Sequence, residues 1–133
     1  MEKKDVTALL SAAFSAREQA YAPYSRFSVG AAIMTEDGRI YKGCNVENAS
    51  YPAGLCAERC AIGAAVAEGK RAFKAIAIVG SEAVYTTPCG ICRQVLHEFH
   101  VPLVICARTR EDYLFIEGEN LLPHAFDDTA LHS

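Results

Sequence analysis

Three cysteines and one glutamate stand where metal-assisted hydrolysis would need them. Cys56 opens the segment Cys56-Ala57-Glu58-Arg59, and Pro88 precedes the pair Cys89-Gly90-Ile91-Cys92. A lone C-x-x-C is shared by metal ribbons and thiol redox motifs. Here a third cysteine lies upstream, with a carboxylate two residues beyond it. Three thiolates can hold a tetrahedral zinc ion and leave its fourth position to water, while an unligated Glu58 moves protons. Sulfur-rich tetrahedral ligation favours zinc over harder cations. Three thiolates around a divalent ion also leave an excess of negative charge, which works against ionising water. Arg59 follows Glu58 directly and can hydrogen-bond to the sulfurs to offset that charge. The alternative is a closed Cys₄ site that adds Cys60, four residues after Cys56 on one helix face. Ala61, Ala64 and Ala65 continue a buried surface around Cys60 and fit a core cysteine better. Cys44 and Cys106, within apolar runs, read as core residues.

Helices must present these groups. Residues 56–68 are rich in Ala and lead to Gly69, a good helix terminator. A second helix is expected over 89–99, after Pro88. Both cysteine segments therefore fall where a loop becomes a helix, and the free N–H groups and dipole there favour thiolate. Cys56 and Cys89 are expected on the first turn, with Cys92 returning to the face of Cys89. Val6, Leu9, Leu10, Ala13 and Phe14 recur at helical spacing, predicting an amphipathic helix over 4–20 that packs on one side of a sheet. Strands are expected over 29–35 and 39–44, around a turn at Glu36-Asp37-Gly38, then over 74–80, 103–107 and 113–116. Residues 45–55 have no clean period and read as a loop. Short apolar strands alternating with helices point to a three-layer α/β domain.

The 133-residue length predicts one domain, 1–133. A net charge of −3 with no basic stripe argues against a nucleic-acid partner. The start, Met1-Glu2-Lys3-Lys4-Asp5, is too charged for a secretory leader, and the apolar runs are too short for a membrane span. A cytoplasmic protein with reduced thiols is the expectation.

Further segments carry a likeness to a known family. They are Ala22-Pro23-Tyr24-Ser25 with Phe27-Ser28-Val29-Gly30-Ala31-Ala32, Gly43-Cys44-Asn45-Val46-Glu47-Asn48-Ala49-Ser50-Tyr51, and Leu121-Leu122-Pro123-His124-Ala125-Phe126, together with Cys56-Ala57-Glu58-Arg59 and Pro88-Cys89-Gly90-Ile91-Cys92-Arg93-Gln94. With them the chain resembles the small homotetrameric cytidine deaminases that use three cysteine ligands. That resemblance implies a three-layer α/β/α domain with a mixed five-stranded sheet. It implies one zinc per subunit on Cys56, Cys89 and Cys92, with Glu58 as the proton shuttle and Arg59 supporting the sulfurs. It further implies Phe27 against the pyrimidine, Asn45 and Glu47 on the ribose hydroxyls, the Ala57 N–H on the base, and Phe126 closing over a neighbouring subunit's site. The activity implied is hydrolytic deamination of cytidine and deoxycytidine in pyrimidine salvage. A carboxylate such as Glu47 accepts hydrogen bonds from a sugar hydroxyl but repels phosphate, which favours a free nucleoside. Two positions depart from the family's pattern: Ile91, often a small residue, is expected to alter packing near the metal, and His124 the shape of the cap. A deaminase of a cytosine-bearing antibiotic nucleoside would share the same metal core. A non-enzymatic zinc module would instead need the Cys₄ set.

Overall fold

Leu9 and Leu10, fully buried with Val6 and Ala13, set the inner face of the first helix, α1 (Lys3–Arg17). This helix starts at a capping box in which Glu2 and Asp5 satisfy each other's backbone N–H groups. The computed structural model describes residues 1–132. After α1 come the strands β1 (Gly30–Thr35) and β2 (Ile40–Cys44), α2 (Ala57–Ala67), β3 (Phe73–Val79), α3 (Gly90–Glu98), β4 (Leu103–Ala107), β5 (Tyr113–Glu117) and a last turn of helix, α4 (Asp128–Leu131).

The strands form one sheet in the order β2-β1-β3-β4-β5. β1 pairs antiparallel with both β2 and β3, β3 and β4 are parallel, and β5 returns antiparallel, so the sheet is mixed. Alternation along the strands splits the core into two layers. Ala31, Ile33, Ile76, Ile78 and Val104 face α2 and α3, whereas Ala32, Met34, Ala77 and Ile105 face α1. The result is the expected α/β/α sandwich with a five-stranded mixed sheet. Each fully buried Leu or Ile contributes about 1.5–3 kcal/mol of burial, spread over both faces. No helix among the described residues is long and apolar enough to cross a membrane.

The strand predictions differ from these bounds by a residue or so at an end, and residues 103–107 coincide. The first helix is shorter than its periodicity, ending at Arg17 rather than at residue 20. The cause lies in the next segment. Tyr21 donates its N–H to Asn45 O at 2.9 Å and forms an isolated bridge with Val46, which draws the chain out of the helix. Gly69 takes φ +85° just beyond α2, the left-handed position that ends a helix cheaply when the residue is glycine. The loop over 45–55 holds a single 3₁₀ turn, Tyr51–Ala53.

Candidate metal centre and active site

Cys56 and Cys89 occupy the N-cap positions of α2 and α3, with extended backbone, one residue earlier than the first turn predicted for them. Neither side chain caps its own helix. Serine, threonine, aspartate or asparagine would normally satisfy an orphan N–H there. Here the sulfurs turn toward each other instead, with Cys56 Sγ 3.8 Å from Cys89 Sγ. Cys92 stands at N3 of α3, so Cys89 and Cys92 take the two positions that a capping box brings together. The three sulfurs all lie within 4.8 Å of one another. A tetrahedral zinc ion with Zn–S bonds of about 2.3 Å holds its sulfurs about 3.8 Å apart, so the donor set fits that ion.

Charge around the sulfurs agrees with a cation at their centre. Burial first, then the charges of Glu58 and Cys56, push the Cys92 thiol far above its ordinary value. That sulfur becomes a thiolate only with positive charge beside it. Arg59 supplies part of it: Nη2 lies 3.6 Å from Cys56 Sγ, while its Nε is buried without a hydrogen-bond partner. Glu58, second in α2, is 4% exposed. Burial pushes its carboxyl up, opposed by its own backbone N–H, by Cys92 and by the Arg59 charge. A carboxylate raised in this way is better matched to proton transfer near neutrality. Ala57 is buried as the first residue of α2, where a backbone N–H has no intrahelical acceptor.

Cys60 stays outside the sulfur cluster among the described residues. The spacing argument for a shared helix face does not hold, because Cys56 precedes the helix with extended backbone. Cys60 is half-buried and acts on Cys44, whose thiol is pushed up by burial first and by Cys60 next. Cys44 is likewise only half-buried, not a core residue; Cys106 is fully buried as expected. Ile91 points outward at 62% exposure, so it does not alter the packing beneath the sulfurs. His124 takes φ +55°, the left-handed region in which Asn, Asp and His are enriched among residues other than glycine.

The other predicted residues form a second group on the loops. Asn45 spans the backbone on either side of Ser28, its Nδ2 donating to Phe27 O at 2.8 Å and its Oδ1 accepting from Val29 N at 2.9 Å. Glu47 accepts from the backbone of Tyr24 and Ser25. It lines a cleft of about 390 Å³ with Tyr24, Ser25, Asn48, Tyr51 and Gly54. Phe27 and Phe126 are both exposed. Phe126 hangs by its carbonyl, which accepts from Gln94 Nε2 at 2.7 Å. Residues 24, 25 and 51 had no assigned role from sequence. Their signal was two tyrosines within Pro-, Ser- and Gly-rich loops, where a core aromatic has no reason to be.

A family model for the cytidine and deoxycytidylate deaminase zinc-binding region matches residues 3–108. The chain belongs to this deaminase family. It is 54% identical over 95 residues to the cytidine deaminase of Sporosarcina psychrophila, covering 71% of this chain and 70% of the relative. It is 46% identical over 121 residues to that of Halalkalibacterium halodurans, covering 89% and 91%. The crystal structure of cytidine deaminase from Burkholderia pseudomallei superposes with a TM-score of 0.86 at 48% identity, covering 95% of this chain and 100% of that one. Membership of this zinc-binding family agrees with the spacing of the sulfur cluster.

Proposed function

We propose that this chain is a zinc-dependent cytidine deaminase, converting cytidine and water to uridine and ammonia. The observation that carries the reading is the convergence of three sulfurs, from two helix starts, beside the buried carboxyl of Glu58 in a member of this family. Cys56, Cys89 and Cys92 hold one zinc ion per subunit. When bound, zinc lowers the pKa of water and so supplies a nucleophile at neutral pH.

Glu58 takes a proton from the attacking water and delivers one to N3 of the pyrimidine, making C4 more electrophilic. The same carboxyl later passes a proton to the departing amino nitrogen. Arg59 holds its positive charge against the Cys56 sulfur throughout. The free N–H of Ala57 contacts the base, Phe27 lies against the pyrimidine, and Asn45 and Glu47 bind the sugar hydroxyls. Deoxycytidine keeps the reacting base and is a second substrate.

Phe126 reaches a neighbouring subunit's site in a homotetramer; its side chain is 61% exposed, which supports this reading. The chain works as one domain, 1–133, in the cytoplasm, recovering pyrimidine nucleosides. An ultraviolet assay of cytidine turnover, with and without chelator, tests the activity directly. Glu58→Gln should retain zinc and fold while losing about 10²–10⁴-fold in kcat. Near-normal turnover in that variant would remove Glu58 from the proton path.

A further inference from the structure

Hydrogen bonds from two loops converge beside the cleft, and Ser25 is the residue they share. Glu47 Oε1 accepts from Tyr24 N at 2.9 Å and from Ser25 N at 3.0 Å. Glu47 Oε2 accepts from the Ser25 hydroxyl. The same hydroxyl oxygen accepts from Phe27 N at 3.0 Å. Asn45 holds the other end of that residue, through the Phe27 carbonyl. Phe27 is thus fixed at its N–H by Ser25 and at its C=O by Asn45.

The direction of each bond is forced. A hydroxyl has one proton and a carboxylate has none, so Ser25 donates to Glu47 and its lone pair is left for the Phe27 N–H. A carboxylate offers about four acceptor positions, two per oxygen. Both on Oε1 are taken and one on Oε2 is taken, which leaves a single open position on Oε2. Glu47 arranged in this way can accept one further hydroxyl from a ligand.

We propose that Ser25 is a positioning residue of the nucleoside site: its hydroxyl orients Glu47 to accept one sugar hydroxyl and at the same time sets the backbone that carries Phe27. The proposal rests on the cytidine deaminase reading and deepens it. The acidity of Glu47 agrees with the geometry. The Ser25 hydroxyl above all, then the Ser25 N–H, with the Tyr24 N–H adding to them, hold its carboxyl below the usual range against an opposing effect of burial. The other titratable groups on the cleft are the phenols of Tyr24 and Tyr51.

The test compares wild type, Ser25→Ala and Ser25→Thr with cytidine and with 2′,3′-dideoxycytidine, measuring KM and kcat against pH alongside zinc content. In Ser25→Ala, KM for cytidine should rise about tenfold, the loss of one well-placed hydrogen bond, while kcat stays within about twofold and zinc is unchanged. The acid rise in KM should move to higher pH, because Glu47 loses the donor that keeps it ionised. Ser25→Thr, which keeps a hydroxyl, should restore both values. The penalty should shrink with the dideoxy substrate, which lacks the 2′- and 3′-hydroxyls that Glu47 would receive. An unchanged KM and acid limb in Ser25→Ala would overturn the proposal, as would equal losses in kcat and zinc that threonine fails to rescue. Absence of cytidine turnover in wild type would overturn the functional reading and this proposal with it, whereas normal wild-type turnover with an unaffected Ser25→Ala overturns this proposal alone.

Discussion

Two helices in this chain begin on cysteines, where an oxygen-bearing side chain would normally cap the helix. Replacing a good cap typically costs about 0.5–2 kcal/mol, so both starts forgo stability that a bound cation can return. This separates the roles of the cysteines sharply. Cys92→Ser should lose most of its zinc and melt at lower temperature. Cys60→Ser, outside the cluster, should keep stoichiometric zinc and near-normal turnover. Metal analysis by mass spectrometry with a thermal melt checks both, and zinc loss in the Cys60 variant would restore a four-cysteine site. The sulfur cluster was legible in sequence because Cys89 and Cys92, three residues apart at one helix start, are neighbours whatever the rest of the fold does, and Cys56 opens a second helix. The exclusion of Cys60 was not, since the four-residue rule assumes that both residues lie inside the helix.

α2 carries Cys56 and Glu58 at its start, and what seats it against the sheet is the absence of a side chain. A Cβ on Gly43 of β2 would meet Ala57 O at 2.5 Å and Ala61 Cα at 2.9 Å, both backbone atoms that cannot swing aside. Gly43→Ala should therefore cost about 1–3 kcal/mol and loosen zinc binding, because the helix start must move. Gly63→Ala is the control: a Cβ there meets nothing within 4 Å, in the same helix, and should stabilise by roughly 0.5–1 kcal/mol. Chemical denaturation of the two variants checks the contrast, and equal effects would refute the seating argument. Helices and strands were readable because periodicity and burial repeat along them. The stitching of residues 21–29 to 45–47 was not. It mixes single backbone bonds such as Tyr21 N–H to Asn45 O with bonds to side chains such as Glu47 and Asn45, and such bonds have no period to detect.

The tail is tied back across α3 from three successive points. Arg93 Nη1 donates to Leu121 O at 3.0 Å, Gln94 holds the Phe126 carbonyl, and His97 meets Asp127 at 3.3 Å. The backbone is anchored while the Phe126 ring stays exposed, the arrangement that the proposed contact with another copy requires. Phe126→Ala should leave zinc and the monomer fold intact but raise KM for cytidine several-fold, about the effect of losing one aromatic contact. Steady-state kinetics combined with sedimentation checks this, and an unchanged KM in an intact oligomer would remove Phe126 from the site. The two capping cysteines have one more consequence, and it belongs to the disordered chain rather than to the folded one. They stand 33 residues apart in sequence. An ion bridging them closes that stretch into a ring, and a covalent tie of this span withdraws freedom from the unfolded ensemble worth on the order of 4 kcal/mol. The ion that activates water is then also a fastener: a cell short of zinc would lose the polypeptide to its proteases as well as the reaction.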